Sequence, residues 1–134
     1  MIYRYASTKG ASMLKITKSG PNRLDLEFQG KITTEDMQEI LDEFITLSKE
    51  IEHGKILYTI YDFDFPSMDA IMVKLSRLPE LFGLLKRFDR MAILTNKTWL
   101  QKIAQFEGFL VPGLEIKAFD LDEIVEAEAW LSGQ

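Results

Sequence analysis

Two periodicities alternate along the chain. Leu14-Lys15-Ile16-Thr17-Lys18 and Leu24-Asp25-Leu26-Glu27-Phe28-Gln29 place apolar side chains at every second position, the pattern of strands with one buried face. Ser19-Gly20-Pro21-Asn22 between them is dense in turn formers. The pair therefore reads as an antiparallel hairpin with a polar outer face, closed by Gly30-Lys31. A helical period follows. Thr33 or Thr34 offers a capping hydroxyl, and Glu35 and Asp36 fall in the first turn, where the helix dipole favours acids. Met37, Ile40, Leu41, Phe44, Leu47 and Ile51 recur on one helical face, with Glu39, Asp42, Glu43 and Lys49 on the other. His53-Gly54 is expected to end this helix, with Gly54 as a left-handed cap and His53 exposed at the helix end.

The middle of the chain is more apolar. Ile56-Leu57-Tyr58-Thr59-Ile60-Tyr61 and Met91-Ala92-Ile93-Leu94-Thr95 are nearly continuous hydrophobic runs, which suits central strands covered on both faces. Asp62 to Ser67 is a loop holding Pro66. Met68 to Phe88 is helical in composition but broken at Pro79, which cannot sit inside a helix without losing a hydrogen bond. Two short helices are expected, roughly Asp69–Arg77 and Pro79–Phe88, with Pro79 at the first position of the second. Asn96 can cap a helix from Lys97 to Phe106, carrying Trp99. Glu115-Ile116-Lys117-Ala118-Phe119 alternates as a final edge strand. Asp120 with Glu123 has the form of a capping box for a last helix reaching Trp130-Leu131, with Leu121, Ile124 and Val125 inward. Trp99 and Trp130 are read as partly buried core. The order ββαβααβαβα implies an α/β domain over residues 13–134, a four- to five-stranded mixed sheet with helices packed around it. Residues 1–12, poor in apolar periodicity, read as an N-terminal extension.

Composition narrows the chemistry. The 134 residues have no cysteine and a single histidine, His53. Thiolate sites and disulfides are thereby excluded, and a histidine-rich metal centre or a histidine-based triad is not expected. No phosphate-cradling glycine motif or nucleophile elbow is present. Asp62, Asp64 and Asp69 match no cation-loop spacing and read as loop and capping acids, so no metal or cofactor is expected. No apolar run approaches the length of a membrane span and no secretory leader is visible, so a cytoplasmic protein is expected. The net charge of −5 argues against a nucleic-acid partner. That charge is partitioned. Residues 25–52 hold nine acids and two bases, residues 74–102 seven bases and two acids, and residues 120–128 five acids and no base.

Gly30-Lys31-Ile32-Thr33 leading into the first helix, Tyr61-Asp62-Phe63 at the end of a central strand, and Met91-Ala92-Ile93-Leu94 carry a resemblance. With the hairpin and the acidic helix, they resemble the STAS fold of bacterial anti-sigma-factor antagonists, and more closely the SpoIIAA-like group, over about residues 13–132. In the antagonists that strand leads into Asp-Ser-Ser-Gly-Leu, where a serine is phosphorylated. Here the stretch is Asp62-Phe63-Asp64-Phe65-Pro66-Ser67-Met68-Asp69-Ala70, without Ser-Ser-Gly. Ser67 lies between Asp64 and Asp69, whose charges oppose a phosphate, and reads as an N-cap. The SpoIIAA-like group is also similar in fold to CRAL-TRIO lipid-carrier domains, which implies an apolar pocket gated by helices, with membrane contact.

Function is accordingly expected to be binding or regulation rather than catalysis. The leading expectation is a small apolar ligand or lipid held under the Met68–Phe88 helices. Met68, Ile71, Met72, Leu75, Leu78, Phe82 and Leu85 would face the ligand or membrane, and Lys86 and Arg87 would meet anionic head groups in peripheral membrane contact. The alternative is a regulator resembling the anti-sigma antagonists, contacting a protein partner through the loop residues Asp62, Asp64 and Ser67 without a phosphoserine switch. A homodimer through the same apolar segment competes with both.

Overall fold

Among the described residues six strands lie side by side in the order in which the chain makes them. The computed structural model describes residues 2–9, 12–30, 34–63, 83–96 and 113–133. β1 (Ile2–Lys9), β2 (Ser12–Ser19) and β3 (Arg23–Gly30) form an antiparallel meander. β4 (Gly54–Phe63), β5 (Phe88–Thr95) and β6 (Glu115–Asp120) then add in parallel. α1 (Thr34–Ser48) joins β3 to β4, and α2 (Ile124–Leu131) follows β6. The α/β class, the hairpin, the central β4 and β5 and the edge position of β6 all follow the sequence pattern. The sheet has one strand more than the four to five expected. It comes from the segment read as an extension, where β1 pairs with β2 from Ile2 opposite Ser19 to Lys9 opposite Ser12.

Strand alternation divides the core in two. On one face Leu14 and Ile16 of β2, Leu24, Leu26 and Phe28 of β3 and Ile56 of β4 pack with Ile40, Leu41, Phe44 and Ile45 of α1, and with Ile51, Leu84 and Phe88. Phe44 stacks on Phe88 at 5.9 Å and Phe28 meets Tyr58 edge-on at 4.9 Å. On the other face Leu57, Ala92, Leu94 and Phe119 pack with Ala127 and Leu131 of α2, and Trp130 closes over them. Trp130 is thus partly buried core, as expected. The turn between β2 and β3 falls where the sequence puts it, with Gly20 at φ 111°, a conformation a side chain would strain.

Two expected boundaries and one expected orientation are corrected. α1 ends at Ser48, not at Gly54. Ile51 is drawn fully into the core, and the left-handed residue is His53, at φ 52°. Gly54 opens β4, and a Cβ there would collide with Ile51 and lie 2.7 Å from Phe88 Cδ1, so it serves close packing rather than capping. The helix expected to reach Phe88 stops at Leu85, and β5 begins at Phe88 rather than Met91. The Arg87 carbonyl accepts the Gly54 N–H at 2.9 Å, which brings Phe88 into register opposite Gly54 and buries its ring. Finally, Leu121, Ile124 and Val125 point outward, not inward. A two-turn helix buries one stripe, and Ala127 and Leu131, with Trp130 beside them, supply it. At the start of α2 the Glu123 carboxylate accepts the Asp120 N–H at 2.8 Å, while no side chain caps the helix N-terminus itself. Only the backward half of the expected capping box is therefore made. The expected helices Asp69–Arg77 and Lys97–Phe106, with Trp99, lie outside the described residues.

Candidate functional site

The polar positions of β2 and β3 share one direction. Because Leu14, Ile16, Leu24, Leu26 and Phe28 turn toward α1, the alternate residues Lys15, Thr17, Asp25 and Glu27 turn to the opposite face. Leu57, Thr59 and Tyr61 of β4 join them there. α2 covers this face chiefly over β5, with lesser contact to β6 and β4. Beside it the described residues leave a trough of about 370 Å³. Lys15, Thr17, Asp25, Glu27, Thr59 and Tyr61 make its floor, and Leu57, Leu94, Leu121, Ile124 and Glu128 line the α2 side.

The ionisable groups of this floor bind one another. Arg23 reaches both oxygens of Glu128, at 2.6 and 3.0 Å, and its Nε donates to Asp25 at 2.6 Å. One guanidinium thus ties β3 to α2 in a forked ion pair. Lys15 lies 3.5 Å from Glu27, which also accepts the Tyr61 hydroxyl at 3.3 Å. Burial works against the Arg23 charge, but the hydrogen bonds to Glu128 and Asp25 outweigh it and raise its pKa. Burial likewise pushes the Asp25 carboxyl up, against the pull of Arg23. The Arg23 hydrogen bond holds Glu128 below the usual carboxylate range. Burial and the Glu27 charge push the Tyr61 phenol up, so it stays a donor at neutral pH. A second arginine anchors the C-terminal turn of α2: Arg90 donates to the Trp130 carbonyl, sits 5.1 Å from the Trp130 ring centre and lies 3.5 Å from Glu115. A floor wired in this way presents a fixed polar surface for recognition.

The turn before α2 and its first two residues form an apolar patch, of which Leu121 and Ile124 line the trough. Leu121, Ile124 and Val125 are 37%, 50% and 74% exposed. Acids surround them. The carboxylates of Asp120, Asp122 and Glu123 gather within 4.8 Å of one another, and Glu126 is exposed. Since Glu123 already accepts the Asp120 N–H, we read this group as the source of a negative potential beside the patch.

The residues singled out from the sequence fall elsewhere. Leu85 is half-buried against the α1-side core, Lys86 is exposed, and Arg87 is exposed with its guanidinium 3.4 Å from the Ile51 carbonyl. Asp62 lies near the end of the β4 backbone. Met68, Ile71, Met72, Leu75, Leu78, Phe82, Asp64 and Ser67 are outside the described residues. The sequence reading treated the outward side of the hairpin as a solvated face and so missed the trough. The signal for it was the block of five acids without a base over residues 120–128, interleaved with Leu121, Ile124 and Val125.

The profile of the SpoIIAA-like family matches residues 23–132, from the start of β3 through α2. The chain belongs to the SpoIIAA-like family. Both walls of the trough, β3 and α2, lie inside that match, while β1 and β2 precede it. A comparison with curated proteins finds no match. Among solved structures the chain is similar to an uncharacterized protein from the DUF3478 family with a SpoIIAA-like fold, from Shewanella loihica PV-4. The two superpose with a TM-score of 0.68 at 23% identity, over 95% of this chain and 98% of that one. At that identity the likeness is one of fold. Among the described residues no helix is long and apolar enough to cross a membrane.

Proposed function

We propose that this SpoIIAA-like protein is a non-enzymatic regulatory module that acts by docking a protein partner on the face carrying α2. The observation that supports it is the exposed apolar patch at the start of α2. With Ala127 and Leu131 buried, Leu121, Ile124 and Val125 stay at the surface, and Leu121 and Ile124 line the polar trough. An apolar patch rimmed by charge is the composition of an interaction surface. The lack of Ser-Ser-Gly after Tyr61-Asp62-Phe63 speaks for regulation without a phosphoserine switch. The lipid reading has less behind it, since Leu84 and Phe88, at the end of the apolar Met68–Phe88 segment, bury themselves in the α1-side core and Leu85 rests against it. The test is photo-crosslinking in host extract from a reactive residue placed at position 125, with position 50 on the exposed turn after α1 as control. A protein captured from position 125 but not from position 50, and lost in Ile124→Glu, is the expected result. Equal capture at both positions, or none at position 125, contradicts the reading.

A further inference from the structure

We propose that the trough beside α2 receives a single basic amphipathic helix from the partner, an inference that rests on the docking reading above and specifies its chemistry. Spacing is the first argument. Neighbouring strands are about 4.7–4.9 Å apart, and packed helices lie about 8–10 Å apart. α2 sits chiefly over β5, so the next helix position on this face is two strands away, over β3. The trough lies there, floored by Asp25 and Glu27 of β3. Its α2 side offers Leu121, from the turn before the helix, and Ile124, at the first helical position, with Val125 exposed beside them, an apolar edge against which the apolar stripe of a helix can be laid.

Charge is the second argument and selects among occupants. Five carboxylates and no base lie over residues 120–128. At the trough Lys15 pairs with Glu27, and Arg23 with Asp25 and Glu128, so the excess negative charge comes chiefly from Asp120, Asp122, Glu123 and Glu126. A second copy seated face to face through a two-fold axis would set these acids against their own counterparts. An anionic membrane or nucleic acid is opposed by the same sign. A helix with Lys and Arg flanking its apolar stripe satisfies both the apolar edge and the field.

The probe is a fluorescent 18-residue amphipathic helix of Leu and Lys, followed by anisotropy against the full chain. Its counterparts are the same helix with Glu for Lys, and a Leu/Lys peptide of identical composition in scrambled order. The Leu/Lys helix is expected to bind, more weakly as salt rises, and the other two are expected to bind at least tenfold more weakly. Ile124→Ser with Val125→Ser should weaken the Leu/Lys helix at least tenfold at an unchanged unfolding temperature. Asp122→Lys with Glu126→Lys should do the same and flatten the salt dependence. Equal binding of the scrambled or Glu peptide, or unchanged binding by both double variants, overturns the proposal. So does concentration-dependent self-association of the chain that Ile124→Ser with Val125→Ser abolishes, because a second copy would then own the surface. A partner crosslinked from position 125 alongside an indifferent Leu/Lys helix rejects the basic helix and leaves the docking reading standing.

Discussion

Gly54 shows how little room the chain leaves at the start of β4. Its backbone is ordinary for a strand, but any Cβ would press on Ile51 and on the Phe88 ring, 2.7 and 2.9 Å from two of its carbons. Both neighbours are fully buried and cannot swing away. Gly54→Ala is therefore expected to destabilise the fold by about 1–3 kcal/mol, the usual range for overpacking, read as a lower urea midpoint. Glu128 makes a smaller and pH-dependent contribution. Its pKa is lowered in the folded state by the Arg23 hydrogen bond, so its stabilisation is present above the usual carboxylate range and is lost as pH falls through that range. Asp25 has the opposite sign: its pKa is raised by burial, so the penalty of its charge is relieved on acidification. The Glu128 side chain is 45% exposed, and solvent screening limits the pair to less than about 1 kcal/mol. Glu128→Gln should lower stability by that order at neutral pH, with the difference from the parent shrinking in acid. A difference that grows on acidification would contradict the assignment.

At the scale of elements, α2 carries the sharpest contrast. Ala127 and Leu131 pack on the sheet, while Ile124 and Val125 at the start of the helix stay exposed. Leu131 is 1% exposed and Val125 is 74% exposed, so hydrophobicity along the helix does not say which residue is buried. Leu131→Ala is expected to cost about 2–5 kcal/mol, while Ile124→Ser and Val125→Ser should leave thermal unfolding within about 2 °C of the parent, since surface substitutions stay near ±0.5 kcal/mol. A large loss from Val125→Ser would restore the inward orientation first expected for it. The strands were more legible. Alternation in Leu14–Lys18 and Leu24–Gln29 was sufficient for the hairpin and its face, because a strand's period of two leaves no ambiguity about which side is buried. β1 was not legible, because Ala6-Ser7-Thr8-Lys9 carries little hydrophobic signal; pairing with β2 along its length, not its own composition, makes it a strand. The end of α1 was misplaced because Ile51 keeps helical spacing while its side chain is drawn into the core from a non-helical turn.

The whole molecule is built asymmetrically about its sheet. The α1 side is a continuous apolar core from β2 to β5, and the α2 side is apolar over β5 and polar over β2 and β3. Ile60 lies on the first side, in a central strand and 8% exposed. Ile60→Asp would bury an unpaired charge in a fold with about 5–15 kcal/mol in hand, and is expected to abolish the folded circular-dichroism spectrum. The family could be read from the sequence because element order and the apolar runs of β4 and β5 define it. The trough could not be placed, because it arises where α2 stops short of β3, a tertiary distance; the acidic block over residues 120–128 marks its rim and not its position. Our central claim is that this half of the sheet, which α2 leaves free among the described residues, together with the exposed apolar patch at the start of α2, is the working surface. Amide chemical-shift mapping of the labelled protein, titrated with the Leu/Lys helix, tests it most directly. The account predicts shifts at Thr17, Asp25, Thr59 and Tyr61 on the sheet and at Leu121, Ile124 and Val125 around α2, with α1 silent. Shifts centred on α1 or on Lys86 and Arg87, with the trough unchanged, would contradict it.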